Sequence, residues 1–158
     1  MFIPNTGNMH IYRVAKTKWA KDTSGEGARL YGGRWNHKKL ACIYASESRA
    51  LAMLEYTVNI NVDDIPLSLT LVTLEIDDAV VLSHEISQLP GNWKEYPAPV
   101  NTKDMGSAWL REGKKIIRIP SVVIPQEFNF IINGQIDNST FCKIVHVEDL
   151  EYDLRIKS

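Results

Sequence analysis

The sequence predicts an α+β fold in a single domain, and three observations carry that prediction. Strand-like segments far outnumber the two convincing helical ones. Helices and strands do not alternate and no internal repeat appears, which argues against alternating α/β and solenoid architectures. Finally, 158 residues at 44% hydrophobic and 23% charged suffice for one ordinary core.

Residues 1–8 include Pro4, Asn5, Gly7 and Asn8 without periodicity, and read as a loose extension ahead of a domain spanning residues 9–158. Residues 10–15 alternate as a strand, with Ile11, Arg13 and Ala15 on one face. Arg13 reads there as an edge-strand cation whose stem covers apolar surface. Residues 40–45 are a short apolar run of the buried-strand type. Ser46 then offers an N-cap and Glu47 a first-turn acid to a helix reaching about Asn59, with Leu51, Leu54 and Val58 as its inward stripe. Residues 67–76 read as a long strand and residues 80–82 as a short extended piece. Beyond an irregular connection punctuated by Pro90, Pro97 and Pro99, residues 102–113 show helical spacing through Met105, Ala108 and Trp109. Residues 116–119, 121–124, 128–132 and 141–147 read as strands, cut by prolines and by Asn133-Gly134.

Two features point toward chemistry. Residues 24–36 set Arg29 and Arg34 among four glycines and two aromatics. Glycine lets backbone N–H groups approach a ligand, and an arginine fork donates in pairs to phosphate or carboxylate oxygens. The stretch therefore reads either as an anion grip or as a glycine-rich hairpin with solvated arginines. The second feature is Glu55, which at 100° per residue lies on the inward side of its helix, beside Leu51. A carboxylate there needs an arginine partner or a polar cleft, because burying it unpaired costs several kcal/mol.

Composition also limits the functions open to the chain. A formal net charge of −1 argues against direct binding of a nucleic-acid backbone. No apolar run is long enough for a membrane span and no signal-peptide pattern appears, so a cytoplasmic location is expected. Cys42 and Cys142 lie in apolar, strand-like surroundings and read as buried free thiols. His10, His37, His84 and His146 form no ligand spacing, and no metal or cofactor is expected. A homo-oligomer is compatible with all of this.

Taken in order, Arg13, Ser-Gly-Glu-Gly-Ala-Arg at 24–29, Gly-Gly-Arg-Trp-Asn at 32–36, Ile-Tyr-Ala-Ser at 43–46 and Leu-Glu at 54–55 closely resemble the RES domain. Gly106, Trp109, Ile-Pro-Ser-Val-Val-Ile-Pro at 119–125, Asn129, Asn133 and Asp-Leu-Arg at 153–155 extend the resemblance over nearly the whole chain after Met9. RES proteins are the toxins of bacterial RES-Xre toxin–antitoxin pairs. The resemblance implies a fold like that of ADP-ribosyltransferases, mostly antiparallel strands with a few helices. It also implies a toxin that depletes NAD, its substrate, by hydrolysis or phosphorolysis between nicotinamide and ribose. Some relatives instead attach ADP-ribose to a protein, and a non-catalytic module binding NAD or a partner is the third reading.

The family's functional positions match Arg34, Tyr44 and Glu55 as catalytic residues, and Arg13, Arg34 and Ser121 as substrate-binding ones. An Xre-type helix-turn-helix antitoxin is the implied partner. Two departures are Lys38-Lys39, where many relatives carry a glycine, and Gly134, where many have proline after the asparagine. The implied chemistry suits these side chains: arginines hold the pyrophosphate, Tyr44 packs near the nicotinamide or its ribose, and Ser121 bonds the same end. Glu55 bonds a ribose hydroxyl and stabilises the oxocarbenium character that develops there, or orients the incoming water or phosphate.

Overall fold

Segments rich in β-branched and aromatic residues build the sheet, and glycine- or proline-marked segments carry the chain between strands. The computed structural model describes residues 7–65 and 68–157. In chain order these form β1 (Asn8–Lys16), α1 (Glu26–Tyr31), β2 (Cys42–Ser46), α2 (Arg49–Val58) and β3 (Leu69–Asp77). They continue with β4 (Val81–Ser83), α3 (Val100–Arg111), β5 (Ile116–Pro120), β6 (Phe128–Asn133) and β7 (Cys142–Leu150). One seven-stranded sheet results, in the order β4-β5-β6-β2-β1-β3-β7. Only the β4–β5 pairing is parallel among the described strands. The α+β expectation therefore holds.

Residues opposite each other in antiparallel strands share a face, so the register sorts the core in two. On one face Ile11, Ile43, Ala45, Leu74, Phe130 and Ile132 are packed together. On the other, Cys42, Ile117, Ile119 and Ile131 meet Trp35, Trp93, Trp109 and Leu110, which arrive from the loops and α3. Helix α2 packs against β1 and β2.

Several expectations change. Arg13 is not on an edge, because β1 lies between β2 and β3. Yet β1 and β2 share the single pair Tyr12↔Ser46, so the sheet opens immediately beside Arg13. Strand β1 starts at Asn8, paired with Asp77. Residues 1–6 of the expected extension and Leu67 of the expected strand lie outside the described residues.

The N-cap of α2 is Ser48, whose hydroxyl accepts from the Leu51 amide at 3.1 Å, whereas Ser46 belongs to β2. The buried residues of α2 are Leu51, Ala52 and Thr57, and Val58 is half-exposed. On α3, Gly106, Ser107 and Leu110 are buried along with Trp109, and Ala108 is exposed.

Residues 121–124 form a turn and not a strand. The Ser121 hydroxyl accepts from the amides of Val123 and Ile124 at 3.0 and 3.1 Å, which bends the chain back despite its β-branched side chains. The glycine-rich stretch contains the unforeseen helix α1. Gly25 opens it at φ +80°, and the Asp22 carboxylate accepts from the amides of Ser24 and Glu26.

Cys42 and Cys142 are buried free thiols, as expected, and burial pushes them up to about 12 and about 11. Lys39 has φ +80°, the left-handed region that favours glycine. Left-handed backbone costs a non-glycine residue about 1–2 kcal/mol, and glycine's extra unfolded-state freedom offsets about 0.5–1 kcal/mol of the relief. Lys39→Gly is expected to raise Tm by about 1–4 °C. Thermal unfolding followed by circular dichroism checks this, and a fall in Tm would refute it.

Candidate active site

The opening between β1 and β2 leads into a cleft of about 960 Å³, at the large end of the range for small-molecule sites. Arg13, Arg34, Tyr44 and Glu55 all line it. Ser121 does not, but its neighbours Pro120 and Val122 do. Four of the five expected site residues are thus brought to one cavity, with the fifth directly behind its wall.

The Arg34 side of the cleft is built by a loop held by a network of hydrogen bonds. Asn36 is fully buried, and its Nδ2 donates to the carbonyls of Ala28, His37 and Leu40 at 2.9–3.1 Å. Tyr44 donates its hydroxyl proton to Asn36 Oδ1 at 2.6 Å and accepts from the Trp35 amide at 3.0 Å. A side chain at position 33 would collide with that hydroxyl, since a Cβ built on Gly33 falls 2.7 Å from it. Helix α3 closes the loop from above: Lys103 donates to the Gly33 carbonyl at 2.9 Å, Ser107 accepts from the His37 amide at 3.0 Å, and Trp109 stacks on Trp35 at 5.5 Å. Gly106 permits this approach, because any Cβ there would fall 1.9 Å from the Trp35 carbonyl oxygen.

From this frame the Arg34 side chain reaches into the cleft, where its Nη1 donates to the carbonyls of Trp93 and Glu95 at 3.0 and 2.7 Å. A guanidinium has five N–H donors, and among the described residues Nε and Nη2 donate to no partner and so remain for a ligand. Burial lowers the Arg34 pKa from its ordinary value, while Glu55 and Tyr44 oppose the shift. Arg13 donates to the Asp22 carbonyl at 3.3 Å. Its pKa is lowered by burial, opposed by the Asp22 charge.

On the other side, Glu55 projects from α2 and takes two hydrogen bonds on one oxygen. Ser121 Oγ donates to Oε1 at 2.6 Å and Asn129 Nδ2 donates to the same atom at 2.8 Å. No ion pair joins Glu55 to an arginine among the described residues. Of the two readings of an inward Glu55, the polar cleft is the one that the geometry supports. Oε2 takes no hydrogen bond among the described residues, so one carboxylate oxygen is fixed and the other is open to the cleft.

The geometry also refines two roles expected from the resemblance. Ser121 is fully buried, with its single proton and both lone pairs engaged, so it holds Glu55 and the turn in the state described. The Tyr44 hydroxyl is likewise occupied by the Arg34 loop, and burial raises its pKa well above the ordinary tyrosine value. Only the Tyr44 ring is left to face a ligand.

Tyr44→Phe orphans Asn36 Oδ1 and the Trp35 amide, and is expected to cost about 1–3 kcal/mol. Urea unfolding measures the loss, and an unchanged midpoint would refute this account of the hydroxyl. Asn36 and Asn129 are the site's structural residues that spacing alone misses. Their partners lie in other elements, so no local pattern marks them.

Among the described residues no cluster of metal-ligating side chains occurs, and no helix is long and apolar enough to cross a membrane. The family model described as the RES domain matches residues 10–155. The chain is 38% identical over 155 residues to a Sphingobium sp. protein named Prs ADP-ribosylating toxin, covering 96% of each chain. It is 34% identical over 152 residues to the protein named Toxin Res of Yersinia enterocolitica, covering 94% of this chain and 100% of that one. Among solved structures, it is similar in fold to a chain of the M. tuberculosis MbcT–MbcA toxin–antitoxin complex. The TM-score is 0.72 at 19% identity, with 90% of this chain and 84% of that one covered.

Proposed function

The chain belongs to the RES domain family, and from that premise we propose that it is the toxin of a toxin–antitoxin pair that cleaves the nicotinamide–ribose bond of NAD. The observation carrying this reading is a single cleft with a guanidinium on one wall and a half-engaged carboxylate on the other. NAD presents matching groups, a dianionic pyrophosphate and a ribose whose anomeric carbon becomes electron-poor as nicotinamide leaves. Arg34, through Nε and Nη2, and Arg13 grip the pyrophosphate by charge-assisted bonds. The C–N bond breaks with its electron pair going to nicotinamide, which departs neutral. Glu55 Oε2 bonds a ribose hydroxyl and stabilises the oxocarbenium character, and water or phosphate then attacks the anomeric carbon.

Purified protein mixed with NAD, with and without inorganic phosphate, is expected to release free nicotinamide. Free ADP-ribose as co-product identifies hydrolysis, and a phosphorylated product identifies phosphorolysis. Absence of nicotinamide in both mixtures overturns the reading, and NAD binding without product would favour a non-catalytic module.

Transfer of ADP-ribose to a protein is the second reading. It is favoured by the name of the Sphingobium relative, an ADP-ribosylating toxin, and by the exposed tyrosines Tyr31 and Tyr96 on the cleft rim, which offer contact area to a protein acceptor. Label from NAD appearing on a protein band would establish it. The partner in either reading is an antitoxin of the Xre type, in line with the toxin–antitoxin complex that contains the structural relative. The toxin's substrate in either reading is the cytoplasmic NAD pool.

A further inference from the structure

We propose that Ser46 and Asn129 form a positioning relay that holds the Glu55 carboxylate in its working orientation, an inference that rests on the reading of Glu55 as the group stabilising charge on the ribose. Ser46 ends β2 and stands opposite Asn129 of β6, so both side chains project from the cleft face of the sheet. Ser46 Oγ donates to Asn129 Oδ1 at 2.7 Å, and Asn129 Nδ2 donates to Glu55 Oε1 at 2.8 Å.

The directions of these bonds enforce one another. An ionised carboxylate only accepts, so the amide must turn its NH₂ toward Glu55. That turns Oδ1 toward Ser46, whose proton then has one destination. A flipped amide would set Oδ1 against Oε1 at hydrogen-bond distance, acceptor to acceptor. Ser46 is 3% exposed, so water does not compete for its hydroxyl.

Ser121 acts from the opposite side. Its oxygen is anchored by the amides of Val123 and Ile124, and its proton reaches the same Oε1. Two donors from two anchored supports fix the plane of the carboxylate and leave Oε2 for substrate. Neither Ser46 nor Asn129 is among the five functional positions that the family resemblance supplies.

The test measures kcat and KM for nicotinamide release from NAD by the full chain and by Asn129→Ala, Ser46→Ala and the double variant. Asn129→Ala is expected to lower kcat about 10–100-fold, the range of one hydrogen bond to a charged group. KM should change less than about threefold, since the amide acts through Glu55 and not on the substrate. Ser46→Ala should lower kcat about three- to tenfold alone and add nothing in the Asn129→Ala background, because its effect passes through the amide.

Asn129→Asp keeps the shape without the N–H donors, and is expected to fail equally if the alanine variant does not fold. An unchanged kcat in the Asn129 variants, or additive losses in the double variant, overturns the relay. If the unmodified protein releases no nicotinamide, the proposed activity fails on its own. The relay is then decided by a urea-unfolding double-mutant cycle between Asn129→Ala and Glu55→Ala, in which additive effects overturn it and coupled effects support it.

Discussion

Replacing Glu55 by glutamine is expected to lower kcat for NAD cleavage by about 10²–10³-fold, the cost of removing a preorganised electrostatic group. Glutamine keeps a carbonyl oxygen able to accept from Ser121 Oγ and Asn129 Nδ2, the two donors that converge on Oε1. The surroundings of the side chain therefore stay satisfied, and Tm should move by no more than about 2–4 °C, equivalent to about 1 kcal/mol. What disappears is the negative charge facing the cleft. Steady-state kinetics paired with thermal unfolding reads both quantities. A variant with normal kcat would remove Glu55 from the chemistry, and one with a collapsed Tm would leave a structural role as sufficient explanation.

Gly106→Ala should produce the largest loss of stability. A Cβ on Gly106 would lie 1.9 Å from the Trp35 carbonyl oxygen and 2.7 Å from its carbonyl carbon, both backbone atoms that no rotamer change can move. Relief requires α3 to withdraw from the loop that carries Arg34, which would also disturb the Trp35–Trp109 stack and the Lys103 and Ser107 bonds. Overpacking of this kind costs about 3 kcal/mol, which corresponds to a drop in Tm of about 6–12 °C. Because the same shift moves Arg34, NAD affinity should fall as well. Urea unfolding and NAD titration together check the prediction, and an alanine variant of unchanged midpoint would show that α3 does not set the loop.

Glu55 is legible in the sequence because its position depends only on helical periodicity, whereas Arg13, Arg34 and Tyr44 are picked out only by the family resemblance that the ordered motifs carry. The failures share a physical cause, which is competition between neighbouring choices that only tertiary contacts decide. Ser46 and Ser48 can both cap a helix, and pairing of Ser46 with Asn129 in the sheet settles the matter for Ser48. The apolar residues 121–124 favour a strand, but the buried Ser121 hydroxyl captures two amides and closes a turn. Helix α1 is hidden because Gly25 and Gly32 flank it and Gly27 lies inside it, and its start depends on the Asp22 carboxylate four residues before Glu26. One of the two donors to Glu55 Oε1, Asn129 Nδ2, comes from 74 residues away in sequence.

Strand β2 places Tyr44 and Ser46 two residues apart on the same face of the sheet. One supports the arginine wall through Asn36 and Trp35, and the other supports the carboxylate wall through Asn129. A slip of β2 by one residue would send both hydroxyls into the apolar face occupied by Ile43 and Ala45 and dismantle both walls at once. The cleft is thus all-or-none at the level of strand pairing: a chain that has not yet docked β2 against β6 holds neither the arginine wall nor the poised carboxylate.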